Sequence, residues 1–219
     1  MSQKRGAVTL NTDKRAKKMY YMGEQLELLL NVYEPSDDTY LLVEAALNVV
    51  RPTDSVLEVG TGCGLIAKIV AQVAHSVKAT DVNPQAVENA TLNGVDTIQG
   101  DLFANLNRRF DVIIFNPPYL PAHNNMSSDW QTQAWDGGPS GREVIMRFLS
   151  QVDRHLTKKG RVLMTISSIT GYKEVTERMK AQFRIVKTLA ERKFFFETLY
   201  VILGAEELAP SERQQLRDC

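Results

Sequence analysis

Val56-Leu57-Glu58-Val59-Gly60-Thr61-Gly62-Cys63-Gly64 reads as a strand that runs into a glycine-rich turn, with a helix opening at Leu65. Glycines in such a turn permit positive φ and let a ligand approach the backbone closely. A turn of this kind after a first strand is where nucleotide-like ligands bind in open α/β sheets. The spacing separates two chemistries. A dinucleotide fingerprint wants its third glycine at position 65, where this chain has Leu, and Gly64 comes one residue early. The lysine of a phosphate-cradling loop is absent as well.

Working outward, strands and helices alternate. Strands are expected over 55–59, 77–80, 97–99, 110–115 and 161–166, with helices over 65–74, 84–92, 141–156 and 172–181. Two closing strands, 183–190 and 194–203, joined by Glu191-Arg192-Lys193, read as a terminal antiparallel hairpin. Alternation of this kind implies an α/β fold, a mostly parallel sheet with helices on both faces. Before it, the Leu-rich run 24–33 suits either a strand or a short helix. Asp37 or Asp38 can cap a helix running to about Val50, which Arg51-Pro52 ends.

Acids stand at the ends of successive strands. Glu58 can attract a positive amino group, Asp81 can accept from ribose hydroxyls, and Asp101, followed by Leu102, can face an adenine amine. S-adenosylmethionine carries an ammonium and a sulfonium and no pyrophosphate, so Glu58 with Gly60, Gly62 and Gly64 suits it better than a dinucleotide. Each acid alone reads equally as a cap or a turn former; their succession is harder to attribute to caps.

The strand 110–115 closes on Asn116-Pro117-Pro118-Tyr119. The prolines stiffen the loop and lack N–H groups, so their carbonyls accept without competing donors. Asn116 donates and accepts in one plane, and Tyr119 offers a flat π-face. Such a loop can grip a planar NH2 group, an amide or an exocyclic base amine.

Bulk properties set outer limits. The 219 residues fit one domain with a full core, and Lys+Arg and Asp+Glu balance at 26 each, so no global field recruits nucleic acid. Cations crowd the start, Lys4, Arg5, Lys14, Arg15, Lys17 and Lys18 against Asp13, so residues 1–22 are expected to be a flexible solvated arm, with a ribosome or nucleic-acid contact as the sharper alternative. The domain proper spans 23–206, and 207–219 is a polar tail. Cys63 and Cys219 are too few for a disulfide framework, and His75, His123 and His155 show no metal-ligand spacing. No apolar run approaches a membrane span and no signal peptide starts the chain, so a soluble cytoplasmic protein is expected.

Taken in order, these motifs resemble the class I S-adenosylmethionine-dependent methyltransferases, and more narrowly the HemK-related enzymes that methylate the Gly-Gly-Gln loop of translation release factors. Val32-Tyr33-Glu34-Pro35-Ser36-Asp37-Asp38-Thr39-Tyr40 is similar to the V-Y-E-P-x-x-D-T-F segment of the eukaryotic and archaeal branch, with Tyr40 where Phe is common. Ala134-Trp135-Asp136-Gly137-Gly138-Pro139-Ser140-Gly141-Arg142-Glu143-Val144 is similar to its A-W-x-G-G-x-x-G-R-E-V stretch. The resemblance implies a single Rossmann-like domain with a seven-stranded sheet. It implies that Tyr33 and Thr39 lie near the methionine part of the cofactor, and that a small zinc-binding activator protein partners the enzyme. Asn116 and Pro117 would then hold a glutamine amide nitrogen, with Pro118, Tyr119 and Trp135 around it. Trp135 suits either the wall of the active-site mouth or a buried anchor. The rival substrates are an exocyclic amine of adenine or guanine in DNA or RNA, and a protein lysine; a non-catalytic scaffold is a third reading, against which the undamaged motifs argue.

Overall fold

The computed structural model describes residues 9–10, 16–121 and 130–207. In chain order the elements are β1 (Thr9–Leu10), β2 (Ala16–Tyr21), β3 (Glu24–Leu29), α1 (Asp37–Leu47), β4 (Ser55–Val59), α2 (Leu65–Val70), β5 (Ser76–Asp81), α3 (Pro84–Leu92), β6 (Thr97–Gln99) and β7 (Phe110–Phe115). They continue as α4 (Trp130–Gln133), α5 (Glu143–Leu149), β8 (Leu156–Ser167), α6 (Tyr172–Lys180), β9 (Ile185–Lys193) and β10 (Thr198–Ala205). The main sheet has seven strands in the order β6-β5-β4-β7-β8-β10-β9. Strands β4 to β8 run parallel, and β10 is antiparallel to both neighbours, as the sequence pattern leads one to expect.

β7 shows why the sheet is central. Val112 and Ile114 pack with α1 and α2, whereas Ile113 and Phe115 pack with α5 and α6. Both faces of the strand are covered, which is why Phe-Asp-Val-Ile-Ile-Phe is a nearly continuous apolar run. The chain leaves β4 toward one sheet edge through β5 and β6, then returns to the other side through β7 and β8. The crevice at that switch, beyond the carboxyl ends of β4 and β7, is the place where this topology can hold a ligand.

Several expected boundaries move. The arm expected over 1–22 is structured in its last part: β2 pairs with β3 in a hairpin, and β1 pairs with β2. Lys17 and Lys18 are therefore strand residues, ion-paired with Glu34 and Glu27. Lys4, Arg5, Lys14 and Arg15, the rest of the basic cluster, lie outside the described residues, as do 208–219 of the tail. The ambiguous Leu-rich run is a strand because its free edge finds partners. Asn89 and Asn93 of the α3 region accept from Leu29 and Glu27 N–H and donate to the Glu27 carbonyl, all within 2.9 Å, in the manner of a neighbouring strand. Asn93 also donates to the Cys63 carbonyl at 2.8 Å, which ties the hairpin to the glycine turn.

The helix expected over 65–74 ends at Val70; beyond Ala71 the bonds tighten, with Gln72 and Val73 donating to Ile69 and Val70. The one expected over 141–156 divides into α5 and a 3-10 turn (Val152–His155). The hairpin turn is not at Glu191–Lys193. Those residues extend β9, because Arg192 pairs with Asp37 and Glu44 of α1, and the turn falls on Phe194 to Glu197 instead. Among the described residues no helix is long and apolar enough to cross a membrane.

Candidate active site

The glycine turn is held from below. Glu58 is buried at the end of β4, and its Oε2 accepts from the Thr61 hydroxyl at 2.6 Å and from the Ala67 N–H of α2 at 2.9 Å. Burial pushes its carboxyl up to about 8, against the pull of those two donors. Asp81, at the end of β5, accepts from Gly62 N–H at 2.9 Å and Asn83 N–H at 2.9 Å; burial raises its pKa too. Gly60 and Thr61 donate to the Thr80 carbonyl, and Gly64 to Thr61. The amides of Gly60, Thr61, Gly62 and Gly64 are thus all committed to protein acceptors, which suits a ligand without a pyrophosphate. Gly64 has φ of +84°, and a Cβ there would meet Val95 at 2.9 Å and Ala90 at 3.1 Å. It packs the turn onto α3 and does not line the cavity, a correction to its expected role in cofactor binding.

Every other expected site residue lines one cavity of about 380 Å³. Its lining includes Tyr33, Thr39, Glu58, Gly60, Gly62, Asp81, Asp101 and Leu102 together with Asn116, Pro117, Pro118, Tyr119 and Trp135. Asp101 is half-exposed and ion-paired with Arg147 of α5. Arg147 carries no sequence signal, since an arginine in the last turn of a helix is ordinary.

Asn116 follows directly from the end of β7. Its Nδ2 donates to Asp38 Oδ2 at 3.1 Å. Its Oδ1 is buried and has no hydrogen-bond partner among the described residues. Tyr119 donates its hydroxyl to the same Asp38 oxygen at 3.2 Å, and Tyr33 reaches Asp38 at 3.0 Å. Burial, and then the Asp38 charge, push both tyrosine hydroxyls far above their ordinary value, so they remain donors. Asp38 does not cap α1, contrary to expectation: Ser36 holds the N-cap position, without a side-chain bond to the helix N–H groups, and Asp38 turns toward the loop after β7.

The segment containing Trp135 packs against that loop. Leu120 N–H donates to the Trp135 carbonyl and Gly137 N–H to the Leu120 carbonyl, both at 2.9 Å. At Gly141, φ is +74° and a Cβ would stand 2.6 Å from the Tyr119 carbonyl, so only glycine permits this approach. That carbonyl accepts from Thr170, whose own carbonyl accepts from Arg142. Trp135 is 43% exposed, which places it at the mouth of the cavity and not in the core. Trp130 of α4, also on the cavity wall, was not anticipated. Cys63 is buried, its thiol pushed up to about 12 by desolvation, and so is no nucleophile near neutral pH.

Positive-φ glycines, acids at successive strand ends and an amide oxygen without a partner among the described residues make a chamber for a charged nucleoside-like donor and a polar acceptor. The comparisons with known proteins agree. Residues 36–197 match the model of the methyltransferase small domain. A protein of Methanocaldococcus jannaschii, whose name assigns it protein N5-glutamine methyltransferase activity, is 40% identical over 82% of this chain and 94% of its own length. The human methyltransferase HEMK2 is 32% identical over 78% of this chain and 88% of its own. The solved E. cuniculi Mtq2–Trm112 complex, described as responsible for methylating the termination factor eRF1, superposes with a TM-score of 0.68. It is 30% identical, over 81% of this chain and all of that one. The chain belongs to the small-domain methyltransferases, among the HemK-related protein glutamine methyltransferases.

Proposed function

We propose that the protein transfers a methyl group from S-adenosylmethionine to the side-chain amide nitrogen of a glutamine in a protein, the acceptor being the Gly-Gly-Gln loop of a translation release factor. The observation that carries this reading is Asn116 Oδ1, a buried acceptor with no partner among the described residues, on a residue that lines the cavity. An amide nitrogen is a poor nucleophile because its lone pair is delocalised. Asn116 Oδ1 and the Pro117 carbonyl each accept one N–H of the substrate, which favours pyramidal nitrogen and aims its lone pair. Tyr119 and Trp135 flank the planar group. When bound, S-adenosylmethionine supplies the electrophilic methyl, which the nitrogen gains as the C–S bond breaks toward sulfur and an N–H proton leaves to water. Glu58, Gly60, Gly62, Asp81 and Asp101, with Tyr33 and Thr39, hold that donor. Alignment of this kind is worth roughly 7–11 kcal/mol, so no strong base is needed before transfer. The HemK-related resemblance extends to a small zinc-binding activator, and a relative has been solved in complex with Trm112.

The test is transfer of labelled methyl to a release factor, its Gln→Ala version, and adenine-containing DNA and RNA, each with and without the activator. Label that vanishes in the Gln→Ala version supports the reading; label on nucleic acid alone replaces the substrate.

Glu58 adds a pH dependence. A carboxyl raised from 4.5 to about 8 favours the protonated folded form, so its ionisation costs stability increasingly as pH rises through that window. A cationic ligand favours the ionised form, so binding releases a proton. Affinity for S-adenosylmethionine should therefore rise from about pH 6 to about pH 8, by up to about tenfold per unit, and level off above. Titration calorimetry at several pH values checks this. Glu58→Gln should flatten the profile, and a wild-type profile already flat would mean that Glu58 is ionised before the ligand arrives.

A further inference from the structure

We propose that Asp38 is a positioning residue for methyl transfer, which sets the orientation of Asn116 and Tyr119; this rests on the reading of Asn116 as the group that receives the acceptor nitrogen. Asp38 is 3% exposed and lies in the first turn of α1. An acid there suits the helix dipole, but the dipole requires nothing of the loop after β7. Asp38 nonetheless collects donors from both segments. Thr39 N–H, Thr39 Oγ1 and Ser36 Oγ donate to Oδ1 at 2.6, 3.1 and 3.0 Å, and Tyr33 shares its hydroxyl between the two oxygens. The other oxygen receives Asn116 and Tyr119, which lie 78 and 81 residues further along the chain.

The consequence follows from the donor and acceptor inventory. A carboxylate only accepts, so only the Nδ2 end of Asn116 can face it. Oδ1 is thereby turned the other way, and it is that atom which is buried without a partner among the described residues. An amide free of Asp38 has two orientations of nearly equal shape, and the wrong one presents N–H groups to a substrate nitrogen that also carries N–H groups. Asp38 removes the wrong one. The same bond polarises the amide and makes Oδ1 a better acceptor, because hydrogen bonds in a chain strengthen one another at low dielectric. Tyr119 is fixed at both ends, its hydroxyl by Asp38 and its carbonyl by Thr170, so the ring cannot swing away from the acceptor.

The experiment compares wild type, Asp38→Asn, Asn116→Asp and the exchanged pair Asp38→Asn/Asn116→Asp. Asn at position 38 keeps nearly the same shape and one accepting oxygen, but can no longer impose one orientation on Asn116. With full protein and release factor as substrate, kcat should fall about 100-fold in Asp38→Asn, as losses of single preorganised contacts do. KM for the release factor should stay within about threefold, and any loss of S-adenosylmethionine affinity, which Asp38 reaches through Tyr33 and Thr39, should be at least about tenfold smaller than the loss of kcat. The side-chain NH2 resonance of Asn116, assigned from its loss in Asn116→Asp, should shift in Asp38→Asn. Asn116→Asp alone sets two carboxylates against each other; the exchanged pair restores a donor facing an acceptor and should recover at least about tenfold of its activity, a coupling that independent sites do not show. Unchanged kcat in Asp38→Asn overturns the proposal. So does an equal loss of kcat, ligand affinity and melting temperature without rescue in the exchanged pair. If Asp38→Asn does not fold, the exchanged pair against Asn116→Asp decides alone. The resonance shift needs no substrate, so a wild-type protein inactive on release factor refutes the substrate assignment and leaves Asp38 still decided.

Discussion

Asn116→Ala should lower methyl transfer by about a thousandfold while the dissociation constant for S-adenosylmethionine changes less than about threefold. Loss of one preorganised hydrogen-bonding group in an enzyme site typically costs about 10²–10³ in turnover, and two effects combine here. The substrate N–H loses its acceptor, and Asp38 loses one of the donors that order the chamber. The upper end of the range is therefore expected. Alanine leaves untouched the bonds from Thr61 to Glu58 and from Gly62 to Asp81, which hold the glycine turn together. Single-turnover rates with saturating substrate, set beside calorimetric binding, separate the two quantities. An equal loss of binding and turnover would make Asn116 a structural residue and end the assignment made for the loop.

The largest stability effect should come from a pair remote from the chemistry. Arg161 of β8 is 2% exposed and ion-paired with Asp54, which precedes β4 and is itself buried. Asp54 also accepts from Arg51 N–H at 2.8 Å, and Arg161 donates to the Val49 carbonyl at 3.3 Å. Asp54→Ala removes a buried carboxylate from the Arg161 guanidinium, at a cost of about 3–5 kcal/mol. Urea denaturation should show the midpoint falling with little change in slope. Because Asp54 precedes β4 and Arg161 pairs with Val112 near the amino end of β7, away from the carboxyl ends where the cavity lies, activity per folded molecule should be preserved at low temperature. A change below about 1 kcal/mol would mean that the guanidinium finds other partners or water.

Much of the site was legible in the linear sequence because its signals are local. The third glycine at Gly64, where a dinucleotide site would have it at 65, the acids at the ends of β4 and β5, and the proline-stiffened loop after β7 are each written within a few residues. All point to the carboxyl end of one parallel sheet. Gly64 shows the limit of that reasoning: it belongs to the motif, yet its positive φ serves packing against Ala90 and Val95 and not the cavity. The hairpin turn was misplaced for a related reason. Phe194-Phe195-Phe196 reads as strand interior, but Phe195 and Phe196 stand exposed at the tip, because Arg192 extends β9 by binding α1.

The sequence by itself determined the fold class and the order of the elements from α1 through the closing hairpin, apart from α4, since apolar period, glycine spacing and proline geometry act over a few residues. Only the tertiary structure decided that Lys17 and Lys18 belong to a docked hairpin, that Asn89 and Asn93 complete its edge, and that Asp38 serves Asn116 and Tyr119. The reason is physical. An asparagine or an aspartate looks the same in sequence whether it caps its own helix or reaches across the fold, and the choice is made by which donors packing brings within 3 Å.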